Sequence, residues 1–293
     1  MHSSRVLSTL ILVCAAAVLG AQIQHIDPTL LGKATAGDRD AQYRVGEAYA
    51  TGRGVRQDNT QAAAWFEKAA QQGQPDAQYE LGVLLHTGQG VSPDDVQAAV
   101  WFRRAADQGM AAAQLALGQL YDHGQGVPQD DGQAAQWYQK AAAQGSDQAE
   151  YDLGSLYERG LGVPQDYGRA ADLYRKAALQ GNTAAQFNLG LLYDNGQGVD
   201  QDYAQAAIWY NKAADQGLAR AQYNLGSMFV SGQGVPRDLV EAYKWLALAA
   251  DNWVGARQEQ AIRGRDTVAG RLTPAQLFDA QSRVVKWKAG HRQ

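Results

Sequence analysis

Six Gly-x-Gly-Val-x-x-Asp segments are the parts of this sequence whose residue types could bind a ligand. The segment HGQGVPQDD, at residues 123–131, shows the pattern. Glycine loops can hold phosphate on backbone N–H groups at a helix start, and carboxylates can bind metal ions. A dinucleotide or kinase loop needs a third glycine, where this segment has Gln129, and it follows a strand. We therefore predict a turn in which Gly124 ends one helix and Asp130 starts the next.

The histidine and serine residues form no pattern typical of catalysis or zinc binding. The five histidines are His2, His25, His86, His123 and His291. His86 and His123 fall near predicted helix ends, but their repeat positions differ by one residue and no carboxylate lies at fixed spacing from them. No serine is followed three positions later by lysine, as an acylating Ser–Lys pair requires. We expect no catalytic residue, no metal site and no cofactor.

The glycine segments recur every 36 residues from Gly52 to Gly232, without an insertion. One position of the period carries a large apolar residue, namely Trp65, Trp101, Trp137, Leu173, Trp209 and Trp245. Each period contains an apolar stripe at helical spacing, followed by an Asp that usually has Gln or Glu three residues later. The second feature is typical of a capping box, although Arg169 takes the Gln place in the fourth period. The pattern predicts two helices per period.

A glycine also lies inside each predicted first helix, at Gly46, Gly82, Gly118, Gly154, Gly190 and Gly226. Glycine in a helix interior costs about 1 kcal/mol relative to alanine. Its recurrence predicts a close approach where the Trp-bearing second helix crosses the first. Tyr43, Tyr79, Tyr151 and Tyr223 share a repeat position with Leu115 and Phe187. This favours core packing over a row of ligand-stacking rings.

The segment AEYDLGSLYERGLGVPQDYGRAADLYRKAALQG, residues 149–181, resembles the Sel-one-like repeat (SLR) family, which is related to tetratricopeptide repeats. Leu173 is its one departure, at the Trp position. The resemblance covers residues 37–252 and implies an all-α fold: an α/α right-handed superhelical solenoid of six 36-residue helix-turn-helix repeats, with the first helices on the concave side. Some cysteine-rich relatives are associated with penicillin binding or β-lactamase activity, but this chain lacks their paired cysteines.

The two ends of the chain differ from the repeats. Residues 1–21 have one Arg, an apolar run from Val6 to Leu19 and then small residues, which is typical of a secretory signal peptide. A retained anchor and lipidation at Cys14 remain as alternatives, although the run is short for a bilayer span and bulky Val13 precedes the cysteine. We expect an N-terminal cap at 22–36 and C-terminal capping helices at 253–293, where Leu248 and Trp253 depart from the repeat pattern.

Composition and the variable repeat positions limit the function. A net charge of −4 with no basic stripe argues against nucleic acid as a partner. Cys14 is the only cysteine, so a cleaved chain would be a disulfide-free periplasmic or secreted protein without stable membrane insertion. In a solenoid the variable positions of the concave side can bind a ligand. The predicted partner-binding residues are Arg44, Glu80, Gln119, Asp152, Arg159, Asn188, Asn195 and Asn224.

These residues favour a non-catalytic adaptor of the bacterial cell envelope that binds another protein, as an extended peptide or a folded surface. Asn amides both donate and accept hydrogen bonds, which suits a peptide backbone. An ordinary solvated face would show the same residue types. Two other functions stay open: an envelope enzyme or regulator acting on cell-wall glycan or a β-lactam, and a spacer without a ligand.

Overall fold

The computed structural model describes residues 25–291, which form fifteen helices and, within that range, no strand. The predicted signal peptide, including Cys14, lies outside the described residues. In chain order the helices are α1 (Pro28–Thr35), α2 (Arg39–Thr51), α3 (Asn59–Gln71), α4 (Pro75–Thr87), α5 (Asp95–Asp107), α6 (Ala111–His123), α7 (Asp131–Ala142), α8 (Asp147–Arg159), α9 (Tyr167–Leu179), α10 (Thr183–Asn195), α11 (Tyr203–Asp215), α12 (Ala219–Ser231), α13 (Leu239–Asn252), α14 (Ala256–Ala269) and α15 (Pro274–Gly290). The all-α prediction is confirmed.

The chain divides into two compact units, with the boundary between residues 129 and 130. The described part of the first unit contains α1 to α6, and that of the second contains α7 to α15. Within each unit every helix packs against the next one in the chain, except that α14 and α15 both pack against α13. The helix-turn-helix repeats predicted from the 36-residue period are therefore present in both units.

An aspartate begins the second helix of every repeat. Each of these residues accepts a hydrogen bond on its side chain from a backbone N–H of the first turn: Asp58, Asp94, Asp130, Asp166, Asp202 and Asp238. The returning bond of a capping box is absent from these six helices and occurs, in the described range, at Thr273 and Gln276 of α15. That part of the prediction is wrong, because the backbone N–H of the capping Asp, which the Gln would bind, already donates to a carbonyl of the first helix. Asp58 N, for example, donates to Tyr49 O at 3.0 Å, and Gln61 is left exposed to solvent.

The glycine segments are turns, as predicted. Their first glycines end the first helices in the left-handed conformation, with φ between 66° and 77°. Their second glycines also have positive φ and rest on the preceding repeat. A Cβ on Gly162, for example, would collide with the backbone of Asp131 at the start of α7. Each loop thus connects the two helices of one repeat and also contacts the preceding repeat.

The glycine inside the first helix faces a ring of the second helix in four repeats, at Gly46, Gly82, Gly154 and Gly190, but the ring is not the Trp; Gly226 faces Leu246 instead. A Cβ on Gly82 would lie 2.6 Å from Phe102, and one on Gly190 would lie 2.7 Å from Tyr210. Trp209 instead packs between its own repeat and the second helix of the preceding one, where it contacts a cluster containing Tyr174. Adjacent helical residues point about 100° apart, so the residue after the Trp takes the position predicted for the Trp.

Both ends of the described chain are closed by additional helices. Asp27 caps α1, which packs on α2. At the other end Ala280 and Val284 of α15 are buried, and Lys288 Nζ lies 2.6 Å from Asp251 Oδ2 of α13. The buried face of α15 therefore packs on the final repeat, where Val284 contacts a cluster containing Trp245.

Candidate functional site

The predicted partner-binding residues all lie on first helices of repeats. We call this set of residues the first-helix surface of each unit. In the first unit it comprises Arg44 on α2, Glu80 on α4 and Gln119 on α6. In the second unit it comprises Asp152 and Arg159 on α8, Asn188 and Asn195 on α10, and Asn224 on α12. Arg159 and Asn195 are seven residues beyond Asp152 and Asn188, so they lie about two turns away on the same faces.

The first-helix surface of the first unit is rich in carboxylates. Glu80 is half-buried, and burial, followed by repulsion from Glu47 and Asp76, raises the pKa of its carboxyl group. Arg44 is exposed, whereas Gln119 is half-buried. The structure therefore gives this unit an acidic surface in which one carboxylate is partly withdrawn from water.

Tyrosine hydroxyl groups reach the first-helix surface of the second unit. Tyr174 Oη donates to Glu158 Oε2 at 2.5 Å. Burial, followed by that contact, raises the pKa of Tyr174, while the neighbouring amide of Asn188 lowers it. The arrangement recurs in the next repeat with Tyr210, Asp194 at 3.1 Å, and Asn224. These half-buried amides thus lie beside tyrosines of the second helices, which the inspection of first helices alone did not predict.

Arg220 is an exposed residue of this surface that the sequence analysis missed. Its guanidinium group lies 5.1 Å from the centre of the Phe187 ring, on the neighbouring first helix. It has no ion pair with any residue in the described range. Asn224 follows four residues later on the same face. The signal available in the sequence was that this repeat position also varies, from Asp40 and Asp76 to Arg220.

The row of aromatic residues belongs to the core, which confirms the favoured interpretation. In four repeats the ring packs at a tilt on the ring that follows the Trp position of the same repeat, and Tyr223 packs on Trp253 instead. The centroid distances are 5.8 Å for Tyr43 and Phe66, 5.7 Å for Tyr79 and Phe102, 5.7 Å for Tyr151 and Tyr174, and 5.7 Å for Phe187 and Tyr210. These rings are part of the core against which the first helices pack.

The remaining titratable residues are dispersed. No group of three or more His, Cys, Asp or Glu residues within residues 25–291 has a geometry that could hold a metal ion. His86 and His123 are exposed at helix ends, and His86 Nδ1 lies 2.6 Å from Asp95 Oδ1. None of the helices in the same range has the length and apolar character needed to cross a bilayer.

The repeat residues match the Sel1 repeat family in six consecutive segments. These are residues 39–74, 75–110, 111–146, 147–182, 183–218 and 219–252. The chain belongs to the Sel1 repeat family. Sel1 repeats mediate protein–protein interaction, and the family is generally non-catalytic. No curated protein matches the chain.

The chain is similar to solved structures. A Sel1 repeat protein from Oxalobacter formigenes is 36% identical over 74% of this chain and 89% of its own, with a TM-score of 0.66. The protein c5321, described as a protective antigen present in uropathogenic Escherichia coli strains, displays an SLR fold. It is 28% identical over 88% of this chain and 85% of its own, with a TM-score of 0.46.

Proposed function

We propose that this Sel1 repeat protein is an adaptor of the bacterial cell envelope that binds a partner protein on the first-helix surface of its second unit. The observation that carries the proposal is the exposed guanidinium of Arg220, held over the Phe187 ring without an ion pair in the described range. Arginine is enriched among the residues that dominate protein interfaces, because it combines a planar donor group with stacking. Such a group is ready to pair with a carboxylate of a partner.

The neighbouring side chains suit a peptide rather than an isolated ion. Asn188 and Asn224 sit at the same repeat position on consecutive first helices, beside tyrosine hydroxyl groups. Their amides can both donate to and accept from a peptide backbone. Asp152, at the equivalent position on α8, accepts from Gln148 Nε2 at 2.9 Å. The proposed partner segment is extended and carries an acidic side chain that meets Arg220.

The envelope location rests on residues 1–21, whose apolar run and small residues are typical of a cleaved signal peptide. The direct measurement is the N-terminal sequence of the protein from a periplasmic extract. We expect it to begin directly after Gly20 or Ala21. An intact N-terminus on a cytoplasmic protein would contradict the envelope location and leave the binding proposal standing.

Site-specific crosslinking in the native host tests the binding surface. A photoreactive residue would replace the exposed Ser227 on α12, and a matched one would replace the exposed Asn211 on α11. We expect a discrete protein adduct from position 227 and none from 211. Arg220→Ala should remove the adduct, whereas Arg237→Ala, which alters an exposed loop arginine, should not.

Adducts from both positions, or from neither with the protein exported and intact, would contradict binding at this surface. The alternatives would then be tested on the pure protein. Hydrolysis or saturable binding of a cell-wall glycan or a β-lactam would support an envelope enzyme or regulator. Variants of the first-helix surface that change neither partners nor phenotype would support a spacer.

A further inference from the structure

The fourth repeat departs from the other five at two positions that line one cavity. Leu173 stands where they have Trp, and Glu150 stands where they have Gln. The cavity has a volume of about 320 Å³ and lies among α7, α8 and α9 of the second unit. Ala142, Tyr157 and Lys176 also line it. Its size is at the lower end of that of small-ligand pockets, roughly 300–1,000 Å³.

The buried Gln of the other repeats has a defined structural role. Gln186 Nε2, for example, donates to the carbonyl of Ala178 at 3.1 Å, and Gln186 Oε1 accepts from Gln216 at 2.8 Å. The same donation to an alanine eight residues earlier occurs for Gln42, Gln78, Gln114 and Gln222. A carboxylate in this place can accept but cannot donate.

Glu150 therefore makes only one of the two hydrogen bonds that the Gln makes in the other repeats, the one it accepts. Its Oε2 accepts from Gln180 Nε2 at 2.8 Å, but its Oε1 has no hydrogen-bond partner within residues 25–291. The residue is only 5% exposed, and burial raises the pKa of its carboxyl group, against smaller opposing effects of Gln180 and Lys176. Glu150 lines the cavity, so a donor group of a bound molecule can reach this unpartnered oxygen.

The absence of a Trp ring at position 173 leaves space beside the Glu150 carboxylate. In the second repeat Trp101 lines the corresponding cavity, which does not reach Gln78 or Arg104. The basic residue three positions after the Trp lies over the indole ring, at 3.6 to 4.5 Å from its centre in four repeats: Lys68, Arg104, Lys140 and Lys212. Lys176 is their counterpart, and it has Leu173 in place of a ring. The cavity thus reproduces the surroundings of an indole without containing one.

We propose that this cavity binds a flat aromatic group that carries an N–H donor, of the indole type, with its ring against Leu173 beneath Lys176 and its N–H donating to Glu150. The group can come from a Trp side chain of a partner protein or from a free small molecule. The site is separate from the first-helix surface and does not depend on the function proposed for it.

Calorimetric titration of the full mature chain with indole and with 1-methylindole tests the proposal. We expect one saturable site for indole and about tenfold weaker binding of 1-methylindole, which has no N–H to donate to the carboxylate. Leu173→Trp should abolish binding by filling the cavity. Glu150→Gln should weaken indole binding about tenfold and leave 1-methylindole unchanged.

Both variants install the residue that the other repeats carry, so they should fold, and thermal unfolding would verify this. Leu179→Trp, at a residue of α9 that is 69% exposed, is the matched control and should bind indole normally. No saturable indole binding by the wild-type chain, or equal binding by Leu173→Trp, would overturn the proposal.

A short Gly/Ser peptide with one central Trp distinguishes the two sources of the ring. Competition between this peptide and indole would indicate that a partner's Trp side chain can enter the cavity. Binding of indole without binding of the peptide would indicate a free small molecule. Either outcome supports the chemistry assigned to the cavity.

Discussion

Replacing the glycine inside a first helix by alanine should destabilise the protein, although alanine is the better helix former. Gly190 lies in the interior of α10, and a Cβ added there would be 2.7 Å from Tyr210 Cδ1 and 2.8 Å from Tyr210 Cε1. Tyr210 has no exposed surface, and its hydroxyl group is held by Asp194. The ring therefore has little room to move away from an added methyl group.

The magnitude follows from two opposing effects. Alanine in place of glycine stabilises a helix interior by about 1 kcal/mol. Overpacking of a close-packed core costs about 1–3 kcal/mol, and contact with two atoms of an immobile ring places Gly190→Ala at the upper end of that range. We expect a net loss of about 2 kcal/mol in the free energy of unfolding.

Urea unfolding followed by far-UV circular dichroism measures this loss. Gly264→Ala is the matched control, because a Cβ at that position of α14 would be 3.5 Å from Leu246, an ordinary contact. It should stabilise the protein by about 1 kcal/mol. In a Tyr210→Ala background, Gly190→Ala should change sign and also stabilise. A wild-type or higher stability of the single variant Gly190→Ala would refute the packing argument.

Three further outcomes follow from the loops and the fourth repeat. In urea titrations Gly162→Ala should destabilise the protein more than Gly145→Ala does. Both glycines have positive φ, and for Gly145→Ala this backbone strain should cost about 1–2 kcal/mol. Only a Cβ on Gly162 would also collide with neighbouring backbone. Leu173→Trp should raise the free energy of unfolding by roughly 0.5–2 kcal/mol through cavity filling, as measured by urea midpoints. Burial raises the pKa of the Glu150 carboxyl group above its usual value of 4.5, so the folded chain keeps the carboxyl proton to higher pH than the unfolded chain does. The free energy of unfolding should therefore decline as the pH rises from 4.5 towards the raised pKa. Glu150→Gln should remove this part of the decline; an unchanged pH profile of the midpoint would contradict the assignment.

The 36-residue period was sufficient to predict the helix pairs, their aspartate caps and the glycine turns, because these depend on residues close together in sequence. It was not sufficient to identify the ring opposite each helix-interior glycine. Trp209 and Tyr210 are adjacent in sequence but point to different neighbours, and the repeat pattern contains both. Only the packing of the second helix shows which of them reaches Gly190.

The candidate sites, like the fold, were only partly predictable from the sequence. Variable positions on first helices led to the predicted surfaces of α8, α10 and α12, but not to the tyrosine hydroxyl groups that lie beside Asn188 and Asn224. Leu173 is visible in the sequence as a departure from the repeat pattern. Its relation to Glu150 is not visible, because the two residues are separated in sequence and meet only across α8 and α9.

The contact between each second loop glycine and the preceding repeat has a consequence for how the gene can change. Gly162 rests on the start of α7, and Gly198 rests on the start of α9 in the same manner. One inserted residue in either loop would move a glycine away from the backbone it fits and put a side chain there. Recombination between repeats that removes or duplicates a whole 36-residue unit would preserve every such contact. Length variation in the lineage of this protein is therefore expected in whole repeats.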